Sequence, residues 1–221
     1  MIRADHKRWA ELIFDPYLGR ILKKDFSHFY ISKGMPELPG DTGLLVTPNH
    51  ISWWDGFFIY HCMKRYSRRK IHLMMLEEQL HQFPFFRYLG AYSIDPGVRK
   101  AVRESLEYTK ENLVRPDSYT VVYPQGEIVP QDTSPLSFQK GIVHILGSLE
   151  KPVAVMPVIF LVKPYNERHP EIWCRFGETH SSDDVQKDLD GYEAAANREL
   201  ELLQKDILNR RYRGDLLPGK K

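Results

Sequence analysis

The chain has little cysteine, little excess charge and no long hydrophobic run. Its two cysteines, Cys62 and Cys174, form no Cys-x-x-Cys pair, so the sequence predicts neither a disulfide framework nor a cysteine zinc site. The formal net charge is +2, from 31 basic and 29 acidic residues, which gives no reason to expect nucleic acid as a partner. Polar and charged residues interrupt the longest apolar stretch, at 44–63, and a membrane-spanning helix needs about 20 apolar residues. The sequence therefore predicts no transmembrane helix.

The 221 residues suit one large domain. Short apolar stretches alternate with amphipathic stretches, which predicts an α/β fold with a single domain and a mostly parallel central sheet flanked by helices. The predicted strands are residues 43–47, 71–76, 91–94, 119–123, 152–162 and 171–176. The predicted helices are residues 52–66, 77–88, 97–113, 137–149 and 183–213, the last broken at Gly191.

An amphipathic helical segment is expected over residues 1–34, ahead of the main domain at 35–221. Apolar residues recur at helical spacing over 5–29, and Pro16 should break or kink the run. Lysines and arginines stand beside the aromatic residues, a composition that suits a helix lying in a membrane interface. A helix packed on its own domain is the alternative. The membrane interpretation predicts a peripheral or monotopic protein on the cytoplasmic face of a membrane.

The most informative motif is His50-x4-Asp55, at the junction of a predicted strand and a predicted helix. Open α/β sheets place their sites at such junctions. If Ser52 caps the helix, His50 precedes the cap, and Asp55 in the first turn leans back toward it. A carboxylate on one imidazole nitrogen leaves the other free to take a proton from a hydroxyl group. The alternative is that Asp55 only caps the helix and His50 is a loop histidine without a catalytic role.

The blocks that surround this motif resemble those of the glycerophospholipid acyltransferase family, which includes the 1-acylglycerol-3-phosphate acyltransferases. The order and spacing of the blocks agree from about residue 43 to residue 160. The blocks are Asn49-His50-x4-Asp55, Gly90 to Asp95, Tyr123-Pro124-Gln125-Gly126-Glu127-Ile128, Phe138-Gln139-Lys140-Gly141 and Val155-Met156-Pro157-Val158.

The resemblance implies an O-acyltransferase that moves a fatty acyl group from acyl-CoA or acyl-ACP to a hydroxyl group of a lysolipid or long-chain alcohol. It implies that His50 is the general base and that Asp55 is its partner. Neither a metal nor a cofactor beyond the acyl thioester co-substrate is expected. Backbone N–H groups near Gly126, or at the start of the helix after Ser52, are the candidates to stabilise the oxyanion. The residues expected to bind substrate are Asn49, Ser52, Gln125, Gly126, Glu127, Lys140 and Arg99.

The chain departs from the family pattern at two arginines. Pro96 replaces the arginine of the second block and Ile128 that of the third, and neither can bind phosphate as a guanidinium does. We therefore expect an acceptor without a phosphomonoester, such as a lyso-aminolipid, a glycolipid or another long-chain alcohol. The alternative is a 1-acylglycerol-3-phosphate acyltransferase that makes phosphatidic acid and in which Arg99 or Lys140 supplies the missing charge. A solvated helix face is the other interpretation of Arg99.

An acyl chain needs an apolar groove, and aromatic residues crowd the motif. Trp53, Phe57, Phe85 and Phe86 are the predicted acyl-channel residues, although most aromatics of this region are expected in the core. Two other classes stay open. One is an acyl-thioester hydrolase in which water replaces the alcohol at His50. The other is a non-catalytic membrane-surface protein, which would use the basic C-terminal residues Arg210, Arg211, Arg213, Lys220 and Lys221.

Overall fold

The computed structural model of the chain describes residues 1–38, 41–147 and 149–217. Lys220 and Lys221 lie outside the described residues. The helices are α1 Arg8–Asp25, α2 Asp55–Tyr66, α3 Glu77–Gln82, α4 Arg99–Leu113, α5 Gly141–Leu146, α6 Ser182–Lys187 and α7 Leu189–Leu208, with a 3-10 helix at Pro84–Leu89. The strands are β1 Phe29–Lys33, β2 Leu44–Pro48, β3 Lys70–Leu76, β4 Ala91–Ile94, β5 Ser118–Val121, β6 Ala154–Lys163, β7 Glu171–Phe176, β8 His180–Ser181 and β9 Gly214–Asp215.

The strands form one mixed sheet in the order β4-β3-β5-β2-β6-β7-β1-β9, and β8 pairs with β6. The central pairings of β2 with β5 and β6, and of β3 with β4 and β5, are all parallel. Antiparallel pairing occurs between β6 and β7 and for the short strands β8 and β9. The predicted α/β class and mostly parallel sheet are confirmed, and the carboxyl ends of β2, β3 and β5 meet at one edge of the sheet.

The sheet separates two apolar cores, and β2 contributes to both. Its five residues are all buried, which explains why four of them are apolar. Leu44 and Val46 face the core that contains α1 and α2, and Leu45 faces the core that contains α5 and α7. This alternation follows from the two-residue period of a strand. The loop that leaves β2 is therefore anchored on both faces of the sheet.

The N-terminal segment differs from the prediction in two respects. Residues 29–33 form β1, which pairs with β7 in the central sheet. The helix predicted within 1–34 therefore ends at Asp25. Pro16 does not break α1. The proline has no N–H to donate to the Leu12 carbonyl. Pro16 and Leu12 both face solvent, so water can hydrate this carbonyl. No helix among residues 1–38, 41–147 and 149–217 is both long and apolar enough to cross a membrane.

Other element boundaries differ from the predicted ones. Helix α2 begins at Asp55 rather than Ser52, and α5 covers only part of the predicted 137–149. The break in the C-terminal helical region falls at Asp188 instead of Gly191. The Asp188 carboxylate accepts a hydrogen bond from the Gly191 N–H at 2.8 Å and caps α7. A Cβ at Gly191 would lie 2.2 Å from this carboxylate, so the glycine permits the cap.

Candidate active site

The candidate active site lies at the carboxyl edge of the parallel strands. His50 follows β2 by two residues, and Tyr123 follows β5 by the same number. Since β2 and β5 are neighbouring parallel strands, the two loops meet above the sheet. The rings of His50 and Tyr123 stack with centroids 4.1 Å apart and an interplanar angle of 18°. This is the edge at which open α/β sheets bind ligands.

The predicted contact between His50 and Asp55 is present. His50 Nδ1 lies 2.9 Å from Asp55 Oδ2. An ionised carboxylate only accepts hydrogen bonds, so the proton of the neutral imidazole sits on Nδ1 and Nε2 keeps its lone pair. His50 lines a cavity, so this lone pair belongs to a side chain that a substrate can reach. The pair has the arrangement of a general base and its orienting carboxylate.

Asp55 is fully buried and is surrounded by donors. Its Oδ2 accepts hydrogen bonds from the N–H groups of Ile51 at 2.6 Å and Ser52 at 2.8 Å. Its Oδ1 accepts one from the Ser52 hydroxyl at 2.9 Å, and this hydroxyl accepts in turn from the Trp54 N–H. Ser52 therefore supports Asp55 from before the helix; it is not the helix N-cap, and it does not line the cavity.

Two residues predicted to bind substrate hold the His50 loop. Asn49 is buried, and its amide donates to the Phe160 carbonyl at 2.9 Å and accepts from the Phe160 N–H at 2.7 Å. Gln125 is also buried, and its Oε1 accepts from the His50 N–H at 2.6 Å. Both side chains are engaged by backbone groups, so the structure gives them a positioning role away from the cavity lining.

A cavity of about 540 Å³ opens beside His50. This volume lies within the range of about 300–1,000 Å³ that is usual for small-ligand pockets. The walls are predominantly apolar and come from α1, α2, β3, β4 and the 3-10 helix. The apolar residues of the wall are Phe14, Trp53, Phe57, Ile71, Leu73, Met74, Met75, Leu76, Phe86, Leu89, Ala91, Ile94, Pro96, Val122 and Ile128.

Three of the four predicted acyl-channel residues line this cavity: Trp53, Phe57 and Phe86. Phe85 does not, because its ring packs against the rings of Trp9 and Phe14. The contribution of β3, whose apolar residues 71 and 73–76 line the cavity, was not predicted. The sequence predicts a strand at 71–76, and only the packing of α1 and α2 over this face reveals the space.

The cavity wall carries little charge. Pro96 and Ile128, which stand in place of the family's two arginines, both line it, beside Gly126 and Glu127. Arg99 at the start of α4 and Lys140 before α5 are exposed, and neither is a lining residue. Among the described residues that form the wall, there is no arginine or lysine. Glu127 and His50 are therefore the acidic and the basic side chain of the wall among the described residues.

Gly126 has a positive φ of 77°, a conformation that favours glycine. A Cβ at this position would also approach Gln139 to 3.2 Å. The Gly126 N–H donates to the Tyr123 carbonyl at 3.2 Å. This N–H, one of the candidates to stabilise the oxyanion, is thus already engaged in the turn.

Tyr123 is a site residue to which the sequence analysis assigned no role. Its hydroxyl oxygen is buried and has no hydrogen-bond partner among the described residues. A buried polar group without a partner costs about 1–3 kcal/mol. Burial, and then the charge of Asp55, raises the pKa of Tyr123 well above its usual value, so the hydroxyl stays protonated.

Fold and site together define a class: an α/β protein in which a histidine, paired with a buried carboxylate, faces an apolar cavity. The model of the Acyltransferase family matches residues 20–161, more than half of the chain, and the chain belongs to this family. It is an acyltransferase. Among solved structures, it resembles the 1-acyl-sn-glycerophosphate (LPA) acyltransferase PlsC from Thermotoga maritima with a TM-score of 0.63 at 19% identity, over 87% of this chain and 79% of that chain. At this identity, the likeness concerns the fold. A comparison with curated proteins finds no match.

Proposed function

We propose that the protein transfers a fatty acyl group from an acyl thioester, acyl-CoA or acyl-ACP, to a hydroxyl group of a lysolipid-like acceptor that lacks a phosphomonoester. His50 Nε2 removes the hydroxyl proton as the oxygen attacks the thioester carbonyl carbon. The tetrahedral oxyanion then collapses, the carbon–sulfur bond breaks, and the leaving thiolate takes the proton from the His50 imidazolium. The products are the acyl ester and the free thiol.

The pairing of His50 with a fully buried Asp55 carries this proposal. The carboxylate selects the tautomer whose free nitrogen acts as a base, and it stabilises the imidazolium that forms during attack. The adjoining apolar cavity suits the acyl chain, because each buried CH₂ group contributes about 0.8 kcal/mol. Trp53, Phe57 and Phe86, with the β3 residues, are the proposed acyl-channel wall.

The acceptor part of the proposal rests on the charge of the cavity wall. A phosphomonoester needs cationic or N–H partners, and arginine serves it best. Pro96 and Ile128 supply neither, and Glu127 places a carboxylate at the same wall. A doubly charged phosphate beside Glu127 would be repelled, whereas a sugar, an amine or another hydroxylated head group would not.

Ile128→Arg should therefore shift acceptor preference toward lysophosphatidic acid. An arginine–phosphate hydrogen bond contributes about 1.5–3 kcal/mol, so kcat/KM for lysophosphatidic acid should rise about ten-fold or more relative to an uncharged lyso-glycolipid. Val98→Arg is the matched control, because Val98 is half exposed but does not line the cavity. Thiol release with both acceptors measures the ratio. If wild-type enzyme already prefers lysophosphatidic acid, or if both arginine variants change the ratio equally, the acceptor assignment fails.

We also propose that α1 attaches the enzyme to a membrane surface. One face of α1 packs into the core through Ala10, Phe14, Leu18 and Leu22. A second stripe is exposed, and it includes Leu12 at 69%, Ile13 at 59%, Tyr17 at 53% and Trp9 at 50% exposure. The exposed cations of the same helix are Arg8, Arg20, Lys23 and Lys24. This combination suits an anionic lipid surface, where each lysine or arginine contributes about 1 kcal/mol. Phe14 also lines the cavity, which would bring the acyl channel close to the lipid.

The double variant Leu12→Ser, Ile13→Ser should weaken binding to phosphatidylglycerol vesicles. Since burying a leucine or isoleucine contributes about 1.5–3 kcal/mol, the partition coefficient should fall about ten-fold or more. Both side chains are exposed, so the thermal unfolding temperature should change little. Leu208→Ser is the matched control, because Leu208 is 83% exposed on α7. Vesicle sedimentation measures the effect, and equal binding of the two variants would contradict the assignment of α1 as the anchor.

A further inference from the structure

The unpaired hydroxyl of Tyr123 is a polar feature of the cavity to which the proposed mechanism assigns no role. Tyr123 lines the cavity, and its ring lies flat against His50 at 4.1 Å. The ring contact alone would be served by phenylalanine. The hydroxyl adds a donor whose oxygen is buried and which has no acceptor among the described residues. The hydroxyl lies next to Gly56, which also lines the cavity. A buried donor without a partner is satisfied when a ligand brings an acceptor to it.

The position of the hydroxyl indicates which part of a substrate it meets. A Cβ at Gly56 would lie 4.0 Å from Tyr123 Oη and 3.9 Å from Leu73 Cδ1, so the hydroxyl lies close to the first turn of α2 and to β3. This is the apolar side of the cavity. Glu127 and Ile128 form another part of the wall, and both are exposed. A polar head group suits that exposed part, whereas an acyl group on the apolar side offers only one polar atom, its carbonyl oxygen.

We infer that Tyr123 is a further catalytic residue, whose hydroxyl donates a hydrogen bond to the carbonyl oxygen of the acyl thioester and to the oxyanion that forms from it. The inference rests on the proposed function, since it needs the thioester beside His50. The hydroxyl changes neither its proton nor its charge during the reaction. It supplies a donor where negative charge develops, a role that the Gly126 N–H cannot fill while it bonds to the Tyr123 carbonyl.

Tyr123→Phe keeps the ring that stacks on His50 and removes only the hydroxyl. We expect kcat for thiol release from hexadecanoyl-CoA or hexadecanoyl-ACP, whichever the enzyme uses, to fall about ten- to hundred-fold. KM for the acceptor should change less than about two-fold, because the lost contact is made to the acyl donor and its oxyanion. Tyr123→Leu, which also removes the ring, should lose more activity because His50 loses its stacking partner.

An infrared measurement separates a hydrogen bond to the carbonyl from a packing effect. Hexadecanoyl-CoA labelled with ¹³C at the carbonyl is bound to His50→Ala, which cannot turn it over, and to the double variant His50→Ala, Tyr123→Phe. A hydrogen bond lowers the carbonyl stretching frequency, so the band should move to higher frequency in the double variant. An unchanged band, or a Tyr123→Phe enzyme with wild-type kcat, overturns the inference. A rise in acceptor KM without a band shift overturns it too, since the hydroxyl would then bind the acceptor.

The failure of this inference differs from failure of the proposed function. If His50→Ala abolishes turnover while Tyr123→Phe leaves kcat unchanged, His50 remains the base and only the role of Tyr123 is wrong. If His50→Ala keeps wild-type turnover, the proposed mechanism and the role of Tyr123 both fall.

Discussion

His50→Ala should abolish acyl transfer while the protein stays folded. A general base contributes about 10²–10⁴-fold to the rate, so we expect kcat to fall about 10³-fold. The side chain is 22% exposed, and Asp55 keeps the hydrogen bonds from the Ile51 and Ser52 N–H groups when the imidazole is removed. The free energy of unfolding should therefore change by less than about 1.5 kcal/mol. Steady-state thiol release and urea unfolding measure the two quantities.

His144→Ala is the matched control for this variant. His144 is an exposed histidine on α5 and does not line the cavity. Its removal should leave both kcat and the unfolding curve within experimental error of wild type. If His50→Ala retains more than about a tenth of wild-type kcat, a group other than His50 acts as the base.

Asp55→Asn has the second largest expected effect, because it removes a buried charge without changing the shape of the side chain. The asparagine oxygen can keep the contacts to His50 and the two N–H groups, and its NH₂ group can face the Ser52 hydroxyl. The imidazolium that forms during attack then loses its counter-ion, and we expect kcat to fall about 10²-fold or more. Hydrogen bonds to a charged group contribute about 1.5–3 kcal/mol, so the free energy of unfolding should also drop by about 1–2 kcal/mol.

Ser52→Ala separates the effect of the Asp55 charge from the effect of its hydrogen bonds to the loop. It removes only the hydroxyl that donates to Asp55 Oδ1 and accepts from the Trp54 N–H, and the carboxylate charge stays. We expect a loss of about ten-fold or less in kcat. Equal losses for Ser52→Ala and Asp55→Asn would mean that Asp55 serves the loop geometry alone.

The parts of the site that depend on neighbours in the sequence are those that sequence reasoning predicts. His50 and Asp55 stand five positions apart at a strand-to-helix junction, and the lean of a helical side chain is enough to bring them together. Pro96 and Ile128 are recognised because they depart from a family block. The α/β class follows in the same way from the alternation of apolar and amphipathic stretches.

The parts that depend on packing between distant segments are missed. Among them are the backbone partners of Asn49 and Gln125 at residues 160 and 50, which only the sheet order brings near. The cavity wall from β3 depends on how α1 and α2 cover the sheet. Strand β1 escapes prediction because only three residues separate its buried apolar residues from α1, and they extend the apolar pattern of that helix.

Identification of the acylated product decides whether the protein is the transferase described above. Wild-type enzyme and His50→Ala are incubated with radiolabelled hexadecanoyl-CoA or hexadecanoyl-ACP and, in parallel, a lyso-glycolipid, a lyso-aminolipid and lysophosphatidic acid. We predict that wild-type enzyme places the label on a phosphate-free acceptor and releases thiol in equal amount. The His50→Ala variant should do neither. Label that appears as free hexadecanoic acid whether or not an acceptor is present, or that reaches only lysophosphatidic acid, would contradict this function.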